Sequence, residues 1–341
     1  MLYSKVCIDS YGYLLPEKVL TSKEIEEQLT PVYNAIGCPK GRLEELTGVR
    51  ERRIWEPGTL PSTIASQAAK KCLQNSHLSA EDIDLVVHTV VCRDSLEPAT
   101  AQVVHHNLNL SSSCMAFDIS NACLGFLNGI LVASNMIELG QIKTALIVTG
   151  ENSGPLYHKT IPSLLENKNE QYFRDNLASL TLGSASTAIL LTHEKYSNTT
   201  HRVLGGFSQT DSSGYDLCTG DGNVHALTMK TKASELMKKG LTLSKTTWEL
   251  FKRRLDWNNE SISHFITHQI SQQHHVKGFE LLNIPIEKGY SYIGSLGNTG
   301  SAAAPLSLML TAEKGLIKIN DRIATIGIGS GLSTLMLGLS W

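Results

Sequence analysis

The sequence lacks the features that define several large classes of protein. None of its apolar runs approaches the roughly 20 residues that a membrane-spanning helix needs, and its first residues have neither the charged start nor the long apolar stretch of a secretory signal. Its 30 basic and 32 acidic residues give a formal net charge of −2, without a basic tract long enough to indicate binding to nucleic acid or a membrane surface. We therefore expect a cytoplasmic protein without stable membrane insertion and without a nucleic-acid partner.

Paired cysteines are also missing. The seven cysteines are scattered without a CxxC spacing, which indicates neither a zinc site nor a disulfide framework. The neighbouring histidines His264, His274 and His275 show no ligand spacing with other residues. We expect no metal site, and we expect most of the cysteines to be buried apolar side chains.

What the sequence does contain is an alternation of strand and helix patterns. Apolar runs predict buried strands at residues 85–91, 145–149, 265–267 and 323–327. Helical periodicity is present at residues 63–74, 123–139 and 233–254. This alternation predicts a layered α/β architecture.

Two pairs of strand patterns recur at one spacing. Residues 83–89 match residues 262–268, and residues 143–150 match residues 322–329, each pair displaced by 179 positions. One such match could arise by chance more easily than two. The constant spacing indicates two copies of a similar α/β unit.

The repeat divides the chain into two predicted halves. The first covers residues 1–198 and the second residues 199–341. Residues 153–180 are rich in polar side chains and interrupt the α/β pattern, so we interpret them as an insertion, with residues 166–170 as solvated surface. Such an insertion serves as a lid, an interface or plain surface decoration.

Cys123 is the first candidate catalytic residue. A strand-like run at residues 117–119 turns abruptly into an apolar helix that we expect to begin at this cysteine. The positive end of a helix dipole and its unpaired amides favour the thiolate form. The small neighbours Ala122 and Gly125 would let a substrate carbonyl approach the backbone. The alternative is a small residue required for tight packing of strand and helix.

His268 and Asn298 are candidates for the same site. His268 ends a buried strand, at the sheet edge where α/β enzymes place their sites, although a hydrogen-bonded core histidine would look the same. Asn298 lies in a glycine-rich turn and could be a turn-former only. The displacement of 179 places Cys123 opposite Ala302, so the two turns precede equivalent helices. This correspondence predicts that both turns meet at one site.

A glycine-rich segment at residues 326–333 follows the last predicted buried strand. It lacks the lysine and the following helix of a phosphate-binding P-loop. We interpret it as exposed backbone beside the nucleophile, with the amide of Ser330 placed to bind an oxyanion.

The ordered motifs resemble one known family from end to end. Thr47-Gly48-Val49-Arg50, Asn121-Ala122-Cys123, His268-Gln269 and Gly297-Asn298-Thr299, followed by the terminal glycine loop, are similar to the ketoacyl-ACP synthase III branch of the thiolase superfamily. The resemblance implies the thiolase fold, with five layers in the order α-β-α-β-α, and a homodimer.

The resemblance also implies an acyltransferase that performs a Claisen condensation. Cys123 would be acylated by a first thioester, with its own amide and that of Ser330 holding the oxyanion. His268 and Asn298 would form a second donor pair for the enolate of the incoming partner. Coenzyme A thioesters are then substrates, and no cofactor is expected.

Within this branch, residues 92–101 are similar to the acyl-CoA-condensing thiolases of olefin biosynthesis. These enzymes join two long-chain acyl-CoA molecules head to head into a β-keto acid. A plain acyl-CoA has no carboxyl group to lose, so a base must remove its α-proton. The resemblance implies that Glu97, 26 residues before Cys123, is that base and reaches the active site of the partner subunit. The alternative is a helix-start carboxylate before Pro98.

The alternative function is that of a decarboxylating 3-oxoacyl-ACP synthase III, which starts fatty-acid chains from acyl-CoA and malonyl-ACP. The chain lacks the arginine that these enzymes carry shortly after His268-Gln269, which disfavours docking of an acidic acyl carrier protein. A third possibility is an inactive subunit of a heterodimer, against which the intact set of motifs argues. Candidate coenzyme A contacts are Arg50, Arg52 and Trp55.

Overall fold

The computed structural model describes residues 1–89, 91–223 and 225–341. The strands are β1 Val6–Leu14, β2 Val19–Thr21, β3 Glu51–Arg53, β4 Leu85–Thr89, β5 Met115–Ile119, β6 Thr144–Glu151, β7 Ala185–His193, β8 Arg202–Thr210, β9 Cys218–Asn223, β10 Ala226–Thr231, β11 His264–Thr267, β12 Arg322–Gly329 and β13 Ser333–Ser340. The helices are α1 Ser22–Gln28, α2 Thr30–Ile36, α3 Arg42–Thr47, α4 Pro61–Gln74, α5 Thr100–Leu108, α6 Gly125–Glu138, α7 Gly154–Glu166, α8 Glu170–Asn176, α9 Ala233–Leu255, α10 Gln272–Leu281, α11 Ile293–Leu296 and α12 Ala303–Glu313.

The main sheet has nine strands in the order β11-β12-β13-β8-β1-β7-β6-β4-β5. On one side of the β8–β1 junction, β4 is parallel to β6, and β6, β7 and β1 continue antiparallel. On the other side, β11 is parallel to β12, and β12, β13 and β8 continue antiparallel. The two groups of four strands have the same arrangement. The exact chain boundary at residue 198 stays a prediction.

Helices cover both sides of each half of the sheet. Helices α6 and α12 lie in the middle and pack against strands of both halves, whereas α4 and α5 cover the first half and α9 and α10 the second. Both middle helices are apolar around most of their circumference, as a helix buried on all sides must be. The packing gives the five layers α-β-α-β-α that the family resemblance implied.

Small residues permit the close approach of α6 to the first half of the sheet. A Cβ atom added at Gly129 would lie 2.9 Å from side-chain atoms of both Ile147 and Thr89. These distances are shorter than van der Waals contact. Glycine at position 129 therefore allows α6, the helix after Cys123, to lie close against the sheet.

The predicted strands and helices are present, with small shifts at their ends. The strand predicted at residues 85–91 ends at Thr89, and its residue 90 lies outside the described residues. One difference matters for the chemistry: α6 begins at Gly125, so Cys123 precedes the helix instead of starting it.

Residues 153–181 form helices α7 and α8 and the 3-10 turn Leu177–Thr181. Their buried side chains, which include Tyr157, Phe173 and Leu180, pack on those of α1 and α2 in a separate apolar cluster. Residues 166–170 are exposed, as predicted. The segment also contributes to the walls of the central cavity described below. In the described parts of the chain, we find no helix of the length and apolarity that crossing a membrane requires.

The turn that carries Asn298 is hydrogen-bonded to the last residue of the 153–181 segment and to the residues that follow it. The Asn298 amide donates to the Thr181 carbonyl at 3.0 Å, and the Gly183 amide donates to the Asn298 carbonyl at 2.8 Å. A Cβ atom at Gly183 would lie 1.9 Å from the carbonyl oxygen of Leu296. This contact requires glycine.

We predict that Gly183→Ala lowers the free energy of unfolding by about 2 kcal/mol or more, because the methyl group would push the Asn298 turn away. Urea denaturation would measure this loss. Gly294→Ala is the matched control, since its added carbon would make only an ordinary contact at 3.5 Å with the Gly48 carbonyl. Equal stability of the two variants would contradict the prediction.

Candidate active site

Cys123 lies in a sharp turn between β5 and α6. The preceding residue, Ala122, has a φ of 46°, a left-handed conformation that costs energy for a residue with a side chain. The turn is closed by hydrogen bonds from the Leu124 amide to the Asn121 carbonyl at 3.0 Å and from the Gly125 amide to the Ala122 carbonyl at 3.1 Å. Backbone strain of this kind is typical of functional sites.

The environment of the Cys123 thiol differs from the sequence-based expectation. Burial, followed in size by the charge of Glu151, raises the pKa of Cys123 above its ordinary value. The expectation of a helix-stabilised thiolate is therefore wrong for the unliganded protein. The physical reason is that loss of hydration in an enclosed site penalises an anion more than the nearby amides favour it.

His268 and Asn298 are in direct contact. Their side chains are joined at 3.1 Å through His268 Nε2 and Asn298 Oδ1. The same Oδ1 accepts a hydrogen bond from the Gly300 amide at 3.0 Å, so it is an acceptor and Nε2 carries the proton. Burial lowers the pKa of His268, which keeps the imidazole neutral.

A single cavity of about 820 Å³ brings the candidates together. Cys123, His268, Asn298 and Ser330 all lie in its walls. The apolar side chains around it come from both halves of the chain and include Leu156, Leu182, Leu227, Leu236, Met237, Leu241, Phe279, Leu282 and Ile328. The arrangement suits a substrate that combines a reactive carbonyl with a long apolar chain.

Glu97 lies outside this cavity. It is exposed on the loop between β4 and α5, next to Leu96, whose side chain is 87% exposed and lies at the cavity wall. Glu97 does not start a helix, because α5 begins at Thr100. The first two backbone amides of α5, those of Thr100 and Ala101, donate to the carboxylate of Asp118 at 2.9 and 2.8 Å. Asp118, and not Glu97, is therefore the carboxylate at the start of this helix.

The three candidate coenzyme A contacts differ in position. Arg52 is fully buried, and its guanidinium donates to the Leu180 carbonyl at 2.8 Å and to Ser22 Oγ at 3.1 Å. The prediction that Arg52 contacts coenzyme A is wrong, because its charged group is enclosed by protein and satisfies carbonyl and hydroxyl oxygens. Arg50 is exposed, and Trp55 is half-buried with its indole N–H bonded to the Glu151 carbonyl at 3.0 Å. Their role as coenzyme A contacts stays a prediction.

Glu151 was not among the residues predicted from the sequence. This residue ends β6, is only 6% exposed and lies in the wall of the same cavity as Cys123. Burial raises the pKa of Glu151 to about 7. The signal that singled out His268, a polar residue at the end of a buried strand, was also present here. Among the described residues, no cluster of three or more His, Cys, Asp and Glu side chains is arranged to hold a metal ion.

Two family models match the chain. Residues 117–212 match the 3-oxoacyl-[acyl-carrier-protein] synthase III family, and residues 253–341 match the C-terminal part of the same family. Acyl-CoA:acyl-CoA alkyltransferases from Shewanella oneidensis and Xanthomonas campestris are 37% and 36% identical to this chain, and each alignment covers all of both proteins. A β-ketoacyl-[acyl-carrier-protein] synthase III from Caldanaerobacter subterraneus is 27% identical over 97% of this chain and 96% of its own.

Solved structures show the same relationship. Xanthomonas campestris OleA with bound lauric acid and lauroyl-CoA matches with a TM-score of 0.96 at 35% identity, covering 100% of both chains. Another structure of this OleA, with a cysteine replaced by alanine, matches with a TM-score of 0.96 at 36% identity over 100% of this chain and 98% of its own. In further variants a glutamate 26 positions before that cysteine is replaced. Glu97 and Cys123 have the same separation.

We predict that Arg52→Met lowers the free energy of unfolding by about 3 kcal/mol, because it leaves the Leu180 carbonyl without its buried donor. Chemical denaturation of the variant would measure the loss. Arg50→Met, at an exposed position two residues away, is the control and should be within about 0.5 kcal/mol of the wild type. Unchanged stability combined with weaker acyl-CoA binding in Arg52→Met would restore the original interpretation.

Proposed function

This chain belongs to the family of OleA-type acyl-CoA:acyl-CoA alkyltransferases in the thiolase superfamily, and on that premise we propose that it joins two long-chain acyl-CoA thioesters head to head. The reaction is a non-decarboxylative Claisen condensation to a β-ketoacyl-CoA, whose thioester is then hydrolysed by water to release the second coenzyme A and a β-keto acid. We further propose that the enzyme is a cytoplasmic homodimer with coenzyme A thioesters as its substrates.

The observation that carries this proposal is that Cys123, His268 and Asn298 all line one cavity. Its volume of about 820 Å³ lies in the upper part of the range of roughly 300–1,000 Å³ for ligand pockets. Apolar side chains approach it from the α7 side and, separately, from α9 and α10. This lining supports a reaction that brings two apolar chains to one nucleophile.

In the first half-reaction Cys123 attacks the thioester carbonyl and coenzyme A leaves. The strained turn at Ala122 presents the sulfur to the cavity. The backbone amides of Cys123 and Ser330 are the proposed donors to the oxyanion. Once Cys123 is acylated, its sulfur belongs to a neutral thioester. The raised pKa of the free thiol then no longer affects the site.

In the second half-reaction Asn298 stabilises the enolate of the second acyl-CoA. Its Oδ1 is occupied by His268 and Gly300, whereas its amide nitrogen Nδ2 makes no hydrogen bond to the described residues. That nitrogen is therefore free to donate to a substrate oxygen. A neutral His268 holds the carboxamide in this orientation, because its Nε2 proton is donated to Asn298 Oδ1.

The base for the second half-reaction is Glu97 of the partner subunit. Its exposure on the 91–99 loop leaves it available to a neighbouring chain. The separation of 26 residues between Glu97 and Cys123, shared with the pair altered in the Xanthomonas protein, supports this assignment.

We predict that the purified protein, given a long-chain acyl-CoA alone, releases free coenzyme A and a β-keto acid, which decays to a ketone. Glu97→Gln should reduce the condensation about 100-fold or more, because the α-proton loses its acceptor. Mass spectrometry should still find the acyl group on Cys123. Glu56→Gln, which alters another exposed carboxylate, is the control. A strict requirement for a malonyl thioester would instead identify a decarboxylating 3-oxoacyl-ACP synthase.

We also predict that two inactive variants complement each other. In a hybrid dimer of Cys123→Ala and Glu97→Gln subunits, one site combines an intact cysteine with an intact glutamate from its partner, so about half of the wild-type activity should return. Different affinity tags on the two subunits would isolate the hybrid. The control is a hybrid of a Cys123→Ala subunit with a subunit that carries both Cys123→Ala and Glu97→Gln. It has no complete site and should stay inactive. Inactivity of both hybrids would place Glu97 in the site of its own subunit and would contradict the prediction.

A further inference from the structure

Gly278 lies inside helix α10, where glycine is an unfavourable residue. Apart from proline, glycine stabilises the interior of a helix least. It is usually retained there because a neighbouring group comes too close for a side chain, or because the backbone is left-handed. Neither reason applies here. The backbone at Gly278 belongs to a helix, and an added Cβ atom would come within 4 Å of no atom of the described residues, its chain neighbours and the helix's own backbone excepted.

The space in front of Gly278 is the central cavity. Residues three and four positions away from each other on a helix share one face. Around Gly278 these positions are held by His274, His275, Leu281 and Leu282. All four residues line the cavity, and so does Gly278 itself. A side chain at position 278 would therefore extend into the cavity from the centre of this helix face.

Helix α9 forms the other wall of this part of the cavity. It contributes Leu236, Met237, Gly240, Leu241 and Ser244. We call the space between these residues and the cavity-facing side of α10 the α9–α10 arm. The described residues of the two helices bring no lysine or arginine to its lining, so the phosphates of coenzyme A have no cation to bind there. The mainly apolar side chains suit a hydrocarbon chain instead.

A second glycine in the α9–α10 arm has a different reason to be there. Gly240 is buried in α9, and a Cβ atom added to it would lie 2.5 Å from Cδ1 of Ile328. That distance is far shorter than van der Waals contact. The protein itself thus fills the space beside Gly240, whereas it leaves the space beside Gly278 open.

We propose that Gly278 sets the length of the acyl chain that the enzyme accepts, because it leaves room in the α9–α10 arm for the distal methylene groups. The inference rests on the proposed use of long-chain acyl-CoA and names the residue that limits the chain. Alanine at this position would stabilise the helix and would meet no obstacle in the protein. The helix is therefore less stable at position 278 than it could be, and the cavity is longer.

The test compares the unaltered protein with Gly278→Ala and Gly278→Leu on saturated acyl-CoAs of graded chain length. For each length, the released coenzyme A is measured, and mass spectrometry follows the acyl group on Cys123. A leucine side chain would displace several methylene groups, and each methylene that loses its apolar surroundings weakens binding about fourfold. Gly278→Leu should therefore react about tenfold or more slowly with the longest chains and within about twofold of the unaltered rate with the shortest.

Gly278→Ala should show a smaller shift in the same direction, up to about fourfold for the longest chains. Its unfolding temperature should rise, because alanine favours the helix and its Cβ atom meets no neighbour. This variant carries the test by itself if Gly278→Leu does not fold. Glu280→Leu, which places a leucine on the exposed outer side of the same helix, is the control and should match the unaltered protein at every chain length.

Three results would overturn the proposal. They are an unchanged chain-length profile in folded Gly278→Leu, an equal loss at every length, which would place coenzyme A in the α9–α10 arm, and a lower unfolding temperature of Gly278→Ala, which would identify a packing role. Acylation of Cys123 is detected whether or not condensation follows. Absence of a β-keto acid would therefore refute the proposed function, while the chain-length profile of the acylation still decides the role of Gly278.

Discussion

Ser301 connects the two halves of the active site through both of its polar groups. Its Oγ accepts from the Phe126 amide in the first turn of α6, and its own amide donates to Glu151 at the end of β6. Only 1% of the residue is exposed, so water does not compete for these bonds. Asn298 lies three residues earlier in the same turn. Ser301 therefore helps to set the position of Asn298 relative to the Cys123 turn.

The enclosure that positions these groups also decides their charges. Burial raises the pKa values of Cys123 and Glu151 and lowers that of His268, so each shift favours the neutral form. A neutral, largely apolar cavity is suited to the acyl part of a thioester. The oxyanion or enolate that forms during the reaction then meets donors that the fold has already oriented.

The main candidates could be found in the sequence because each follows a recognisable strand or turn. His268 directly follows a buried strand, and Cys123 and Asn298 lie in turns before apolar helices at equivalent places of the repeat. Arg52 shows the opposite case. Its motif suggested a substrate contact, but a short strand gives no sign of whether an arginine faces solvent or, as here, the carbonyl of Leu180. Glu151 was overlooked although it also ends a buried strand.

Periodicity and turn residues are local properties of a chain, so the α/β architecture, the internal repeat and the motifs of the family follow from the order of the amino acids alone. The tertiary structure decided which motifs share a cavity, that Arg52 is enclosed and that Glu151 faces the nucleophile's site. It also decided the charge states of the site. These depend on burial and on contacts between residues as far apart as Glu151 and Ser301, and such distances are set only when the layers of the fold pack together.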